Sequence, residues 1–216
     1  MSELIISLDK LSMDYALELA EKASGKVWGF KVNDLLLHYG AQIIYELRVF
    51  GKVMADPKLF DIPNTMHNGI QCLKTAGANI ITVHCASGYL AEDDETEILA
   101  GVTCLTSMPD SVCKDLYGLE RDSAITKLAD IGSQYKYLVC SVSDLIDLDS
   151  AQQTICPGIR PSWYQEPDDQ IKTATPSQAA QAGADLIVVG RPLTHSEDFS
   201  EALGRTLEEL ESLNLE

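Results

Sequence analysis

The stretch Ala182-Gly183-Ala184-Asp185-Leu186-Ile187-Val188-Val189-Gly190-Arg191-Pro192 carries the unit from which the fold is read. Its apolar run, residues 186–189, has no polar alternation, as expected of a strand buried on both faces. The Ala-Gly-Ala before it suits a helix end, where glycine serves as a C-cap. Polar residues follow directly. The same unit recurs as Ala76-Gly77-Ala78 ahead of Ile80-Ile81-Thr82-Val83. Further short apolar runs lie at 4–8, 27–32, 53–55, 101–105, 137–140 and 154–156, giving eight candidate strands. Helical periodicity fills the gaps, as at Met13, Leu17, Ala20 and Ala23. Alternating strands and helices form a parallel sheet, closed or doubly wound. Eight repeats in 216 residues favour one (β/α)8 barrel over residues 1–216, short for a fold that starts near ~200 residues. The doubly wound alternative lacks a GxGxxG after the first strand.

Composition narrows the function. With 45% apolar and 23% charged residues the chain is an ordinary globular protein. A net charge of −17 argues against nucleic acid and anionic membrane surfaces as partners, and no stretch has the length of a membrane span. The six cysteines form no CxxC pair and no zinc-ligand spacing, so no metal site is expected. Four of them sit in or beside apolar runs. With no export signal at the N-terminus, this predicts a reduced, cytoplasmic protein.

Polar residues gather where the barrel reading places the C-terminal strand ends: Asp9, Lys31, Asp56, Lys58, His84, Ser107 and Arg191. Barrel enzymes build their sites on that face. The densest group is Asp56-Pro57-Lys58-Leu59-Phe60-Asp61. On a regular strand residues 56 and 58 point to one side, and Asp61 lies just beyond. A lysine between two carboxylates keeps its proton at neutral pH. It is then a poor imine former but able to protonate a carbanion. Read alone, the same spacing also fits surface decoration, with Asp61 and Pro63 starting a helix. Gly190-Arg191-Pro192 offers close backbone approach and a guanidinium fork for a phosphate, or else a plain tight turn. Residues 158–175 form a long polar segment between the seventh strand and the last helix, read as a phosphate-closing lid.

Extended to Asp56-Pro57-Lys58-Leu59-Phe60-Asp61-Ile62-Pro63-Asn64-Thr65, the motif resembles the DxKxxDIPNT signature of orotidine 5′-phosphate decarboxylases. Leu8-Asp9, Phe30-Lys31-Val32, Leu105-Thr106-Ser107-Met108, Pro157-Gly158-Ile159-Arg160-Pro161 and Val189-Gly190-Arg191-Pro192 resemble further segments of that family, in its order. The resemblance implies decarboxylation of orotidine 5′-monophosphate to uridine 5′-monophosphate with no cofactor, in a homodimer with shared sites. Lys58, Asp56, Asp61 and Lys31 would form the catalytic set. Lys58 would protonate C6, Asp56 would face the substrate carboxylate, and Asp61 would serve the partner's site. Asp9 and Lys31 would contact the ribose, with Thr65 reaching across from the neighbouring subunit. Ser107 would bond the pyrimidine edge. Pro157, Gly190 and Arg191 complete the substrate contacts, with Gln170, or Gln165 in its place, gripping the phosphate from the lid. Departures from the family pattern fall at Asn33, Gly88-Tyr89, Ser162 and Lys172. His84 is read as structural, since this chemistry needs no imidazole. The rival readings are a magnesium-dependent 3-keto-gulonate 6-phosphate-type decarboxylase, a Schiff-base aldolase with Lys58 as nucleophile, and a silent nucleotide-binding barrel.

Overall fold

The computed structural model describes residues 2–148, 151–166 and 172–211. Eight parallel strands close into a barrel in chain order. They are β1 (Glu3–Ser7), β2 (Gly29–Val32), β3 (Lys52–Leu59), β4 (Ile80–His84), β5 (Leu99–Val102), β6 (Tyr137–Val139), β7 (Gln153–Cys156) and β8 (Leu186–Val189). Closure comes from β8 pairing back onto β1 through Leu4↔Ile187 and Ile6↔Val189. The helices among the described residues are α1 (Met13–Ala23), α2 (Asp34–Tyr39), α3 (Gln42–Leu47), α4 (Pro63–Ala76), α5 (Asp110–Tyr117), α6 (Arg121–Ile131), α7 (Pro176–Gln181), α8 (Arg191–Thr194) and α9 (Phe199–Glu211). The closed sheet sets aside the doubly wound alternative.

The expected helix ends are present. Gly77 caps α4 at φ +105°, and Gly183 follows α7 at φ +86°, both left-handed as glycine allows. On α1, Ala20 and Ala23 are buried while Met13 and Leu17 pack partly buried against the core.

Alternation along the strands builds two apolar layers. Ile5, Met54, Ile80, Ala100, Ile155 and Leu186 cluster together within the barrel. Their neighbours Leu4, Ile6, Val53, Ile81, Leu99 and Ile187 face outward into the helix layer. Each fully buried Ile or Leu contributes about 1.5–3 kcal/mol by leaving water. Two residues beyond Ile5, Met54 and Ile80 on the same strands come Ser7, Asp56 and Thr82, with Lys31 at that level on β2; all four are buried and polar. An apolar floor under a polar ceiling thus marks the working end.

Two expectations about chain order are corrected. The run 101–105 reads two residues late. The sheet holds Leu99–Val102, and the chain leaves it at Thr103, whose N–H and hydroxyl both donate to the Val139 carbonyl, at 3.2 and 3.0 Å. Ser107 therefore sits on the connection into α5, not at a strand end. The segment 158–175 runs from β7 into α7, not into the last helix.

Candidate active site

A cavity of about 390 Å³ opens at the C-terminal end of the barrel. Its floor is a chain of alternating charges. Lys31 Nζ lies 2.6 Å from Asp9 Oδ2 and 3.2 Å from Asp56 Oδ2, and Lys58 Nζ lies 2.7 Å from that same Asp56 oxygen. The other Asp56 oxygen accepts from the Thr82 hydroxyl at 2.8 Å. Asp9 is held from three sides: by Lys31, by the Ser7 hydroxyl at 2.5 Å and by the Asn33 N–H at 3.0 Å. The Asn33 side chain donates to the Asp56 carbonyl oxygen at 2.5 Å. Asn33, a departure from the family pattern, thereby ties the ends of β1, β2 and β3 together.

Burial pushes the Asp9 carboxyl up, but the Lys31 charge and the bonds from Lys31, Ser7 and Asn33 outweigh it and hold Asp9 below its ordinary value. Burial likewise pulls Lys31 down, yet the charges of Asp56 and Asp9 leave it raised above its ordinary value. Both stay ionised near neutrality. Lys31 has a side chain only 10% exposed, whereas Lys58 is 33% exposed. Of these two ammonium groups, Lys58 is the more open to a bound molecule.

Lys58 reaches this place by a different route from regular alternation. Its φ is +49°, in the left-handed region that a lysine rarely adopts. The β3–β4 register breaks between Ala55 and Leu59, and the Lys58 N–H donates to the Thr82 hydroxyl at 2.9 Å. Residues 56 and 58 both face the cavity as expected, but the register break rather than regular alternation places Lys58 beside Asp56. Backbone held in such a region marks sites where surrounding contacts over-determine the geometry.

The cavity brings together Asp9, Lys31, Asp56, Lys58, Ser107 and Arg191, with Pro157 and Gly190 also in its wall. Asp61 and Thr65 are not among its lining residues. Both are exposed, and the Asp61 carboxylate accepts from the neighbouring Ile62 N–H at 2.7 Å. Phe60 and Ile62, on either side of Asp61, are each 66% exposed. Gln170 lies outside the described residues, and Gln165 is exposed and not among the lining residues. The two feet of the 158–175 segment are joined, Arg160 N–H donating to the Ala174 carbonyl at 2.9 Å. Gly158 and Arg160 line the cavity. His84 is half-buried and stacks near Phe60 with centroids 5.6 Å apart. Burial first, and then the Lys58 charge, hold its imidazole below its ordinary value.

The sequence reading missed Ser7, Lys10, Thr82 and Arg160. Ser7 and Thr82 were accessible to it, since each is the inward residue two positions past a buried isoleucine. Lys10 lines the cavity at φ +61°, its N–H held by Asp34 at 2.9 Å. Among the described residues no cluster of three or more His, Cys, Asp or Glu is placed to hold a metal ion. No helix among them is long and apolar enough to cross a membrane.

A family model described as "Orotidine 5'-phosphate decarboxylase / HUMPS family" matches residues 2–206. The chain belongs to this family. Orotidine 5'-phosphate decarboxylase of Lawsonia intracellularis is 34% identical over 219 residues, covering 91% of this chain and 94% of the relative. The enzyme of that name from Maridesulfovibrio salexigens is 33% identical, covering 98% and 100%. The crystal structure of orotidine 5'-phosphate decarboxylase from Lactobacillus acidophilus superposes with a TM-score of 0.76 at 25% identity, over 97% of this chain and 99% of the other. The family's name spans two groups, but these relatives at a third identity all carry the decarboxylase name.

Proposed function

We propose that this chain decarboxylates orotidine 5′-monophosphate to uridine 5′-monophosphate and carbon dioxide, with no metal or organic cofactor. The observation that carries the proposal is the Asp9–Lys31–Asp56–Lys58 array, which ends in a reachable ammonium 2.7 Å from Asp56. When the bond from C6 to the carboxylate breaks, its electron pair stays on C6 and carbon dioxide departs. No cofactor absorbs that charge. A fixed ammonium beside it is the preorganised electrostatic stabilisation that lowers such a barrier most. Lys58 then passes its proton to C6, and its neutral amine regains one from solvent.

The cavity's charge suits the substrate. Lys10, Lys31, Lys58, Arg160 and Arg191 line it against two carboxylates, Asp9 and Asp56, on a chain whose net charge is −17. A nucleotide bearing a carboxylate and a phosphate fits this local excess of cations. In this reading Asp9 and Lys31 hold the ribose and Ser107 the pyrimidine edge. Arg191 and Gly190 hold the phosphate, Pro157 forms part of the wall, and residues 158–175 close over it, with Gln170 as the phosphate contact.

The site is shared in a homodimer, a reading supported by the exposed turn that carries Phe60, Asp61 and Ile62 and by the exposed Thr65 at the start of α4. Asp61 and Thr65 would complete the partner's cavity. The protein works in the reducing cytoplasm, where buried thiols such as Cys104 and Cys113, whose sulfurs share a hydrogen bond at 3.3 Å, stay reduced.

The test is the loss of orotidylate absorbance in metal-free buffer containing a chelator. Full turnover is expected. Turnover that appears only when magnesium is returned would favour the sugar-phosphate rival, and borohydride trapping of substrate on Lys58 would favour the aldolase. Analogue binding with no release of carbon dioxide would mark a silent barrel.

A further inference from the structure

Behind the wall of the cavity lies an ion pair that no step of the proposed reaction uses. Arg121 opens α6 with its side chain 3% exposed, and Asp144, in the turn after β6, is 2% exposed. Arg121 Nη2 and Nε donate to the two Asp144 oxygens at 3.1 and 3.3 Å. Burying two charges costs several kcal/mol per ion unless their remaining bonds are filled. Here the remaining bonds are specific. Arg121 Nη1 donates to the Met108 carbonyl at 3.1 Å, and Nη2 also reaches the Leu105 carbonyl at 3.4 Å. Those two carbonyls bracket Thr106 and Ser107, both of which line the cavity.

The carboxylate is shared with the other side of the site. Asp144 Oδ2 accepts from the Ser141 N–H at 3.2 Å, fixing the end of β6. Lys172, at the far foot of the 158–175 segment, places Nζ 3.6 Å from Asp144 Oδ1. Burial pushes the Asp144 carboxyl up, but the bonds from Arg121 and Ser141 and the charges of Arg121 and Lys172 hold it below its ordinary value.

We propose that Arg121, anchored by Asp144, is a positioning residue that sets the Thr106–Ser107 turn against the pyrimidine. The same carboxylate also pairs with Lys172. This rests on the proposed function, because the effect is read through the Ser107 contact. A planar fork that meets two carbonyls and a carboxylate at once is not replaced by an ammonium. Arg121→Lys should therefore lower kcat/KM for orotidylate by about tenfold to a hundredfold, the scale of a misplacement remote from the chemistry.

The discriminating experiment is a double-mutant comparison with Ser107→Ala. If Arg121 acts by placing Ser107, Arg121→Lys in the Ser107→Ala background costs less than about threefold. An equal loss in both backgrounds overturns the proposal, as does no loss in the single variant. Should Arg121→Lys fail to fold, Asp144→Asn carries the same comparison, since it keeps an acceptor for Ser141. Turnover by the unaltered chain is measured first. Its absence overturns the proposed function, whereas turnover with additive losses overturns only the positioning role.

Discussion

Replacing Lys58 with Met keeps most of the side chain's length and removes its charge and its proton. The consequences for folding and for catalysis separate cleanly. Asp56 keeps Lys31 at 3.2 Å and the Thr82 hydroxyl at 2.8 Å, so its carboxylate is not left unpaired. Lys58 is 33% exposed, and losing its pair should cost no more than about 1 kcal/mol of stability. In the transition state, by contrast, an ammonium about 3 Å from the carbanion contributes ~5 kcal/mol at an effective dielectric of about 20. At about 1.4 kcal/mol per tenfold, that is a loss of roughly 10³–10⁴ in turnover, before the missing proton is counted. The expected variant is folded, binds uridine 5′-monophosphate within about tenfold of the unaltered chain, and is nearly inert. Orotidylate absorbance gives turnover, calorimetry gives binding and thermal unfolding gives stability. Lys58→Arg is the companion, restoring a cation that does not readily give up its proton; it should stay slow. Turnover of Lys58→Met within tenfold of the unaltered chain refutes the assignment.

Arg191→Ala should lower kcat/KM by about tenfold to a hundredfold, the value of a charge-assisted bond to phosphate. Orotidine lacking the phosphate should react equally with both proteins, and an equal loss on that substrate would remove Arg191 from the phosphate site. Asp56→Ala and Asp61→Ala should each be nearly inactive alone. Refolded together they should regain roughly a quarter of the unaltered activity, because half of randomly mixed dimers carry one intact site. No recovery counts against sites shared between subunits. His84 is held below its ordinary value of 6.5 by burial and by Lys58. The unfolded chain therefore takes up this proton before the folded one, so stability falls as pH drops below 6.5. His84→Asn should flatten the thermal-midpoint decline between pH 6.5 and 5, and an unchanged slope would show that His84 does not titrate as described.

The barrel was legible because its signal is repeated. Short apolar runs such as Leu186–Val189 recur eight times, two of them behind an Ala-Gly-Ala helix end, and a two-residue error at β5 leaves the topology intact. The charged floor was legible for a related reason: Asp9, Lys31 and Asp56 follow apolar runs, and a closed parallel barrel brings all such ends to one mouth. Lys58 was placed correctly on a wrong premise. Alternation assumes a regular strand, whereas Pro57, which has no N–H to give the ladder, sits inside the register break that Thr82 stabilises from β4. Arg121 and Asp144 were invisible for the opposite reason. They lie 23 positions apart, and only the folded chain shows that one guanidinium meets the carboxylate and two carbonyls of the site loop.

The charge balance had to be read at two scales. A net charge of −17 argues against polyanions as partners, since their many phosphates would meet the whole surface. A mononucleotide meets only the mouth. At 0.1 M salt charges farther than about 10 Å are largely screened, so the acidic exterior has little hold on a ligand inside the barrel. There the cations of Lys10, Lys31, Lys58, Arg160 and Arg191 outnumber Asp9 and Asp56. The two carboxylates do not simply subtract from that excess. Each is bound to a lysine at 2.6–2.7 Å. They fix where the ammonium groups point, which is what a developing negative charge on the substrate requires.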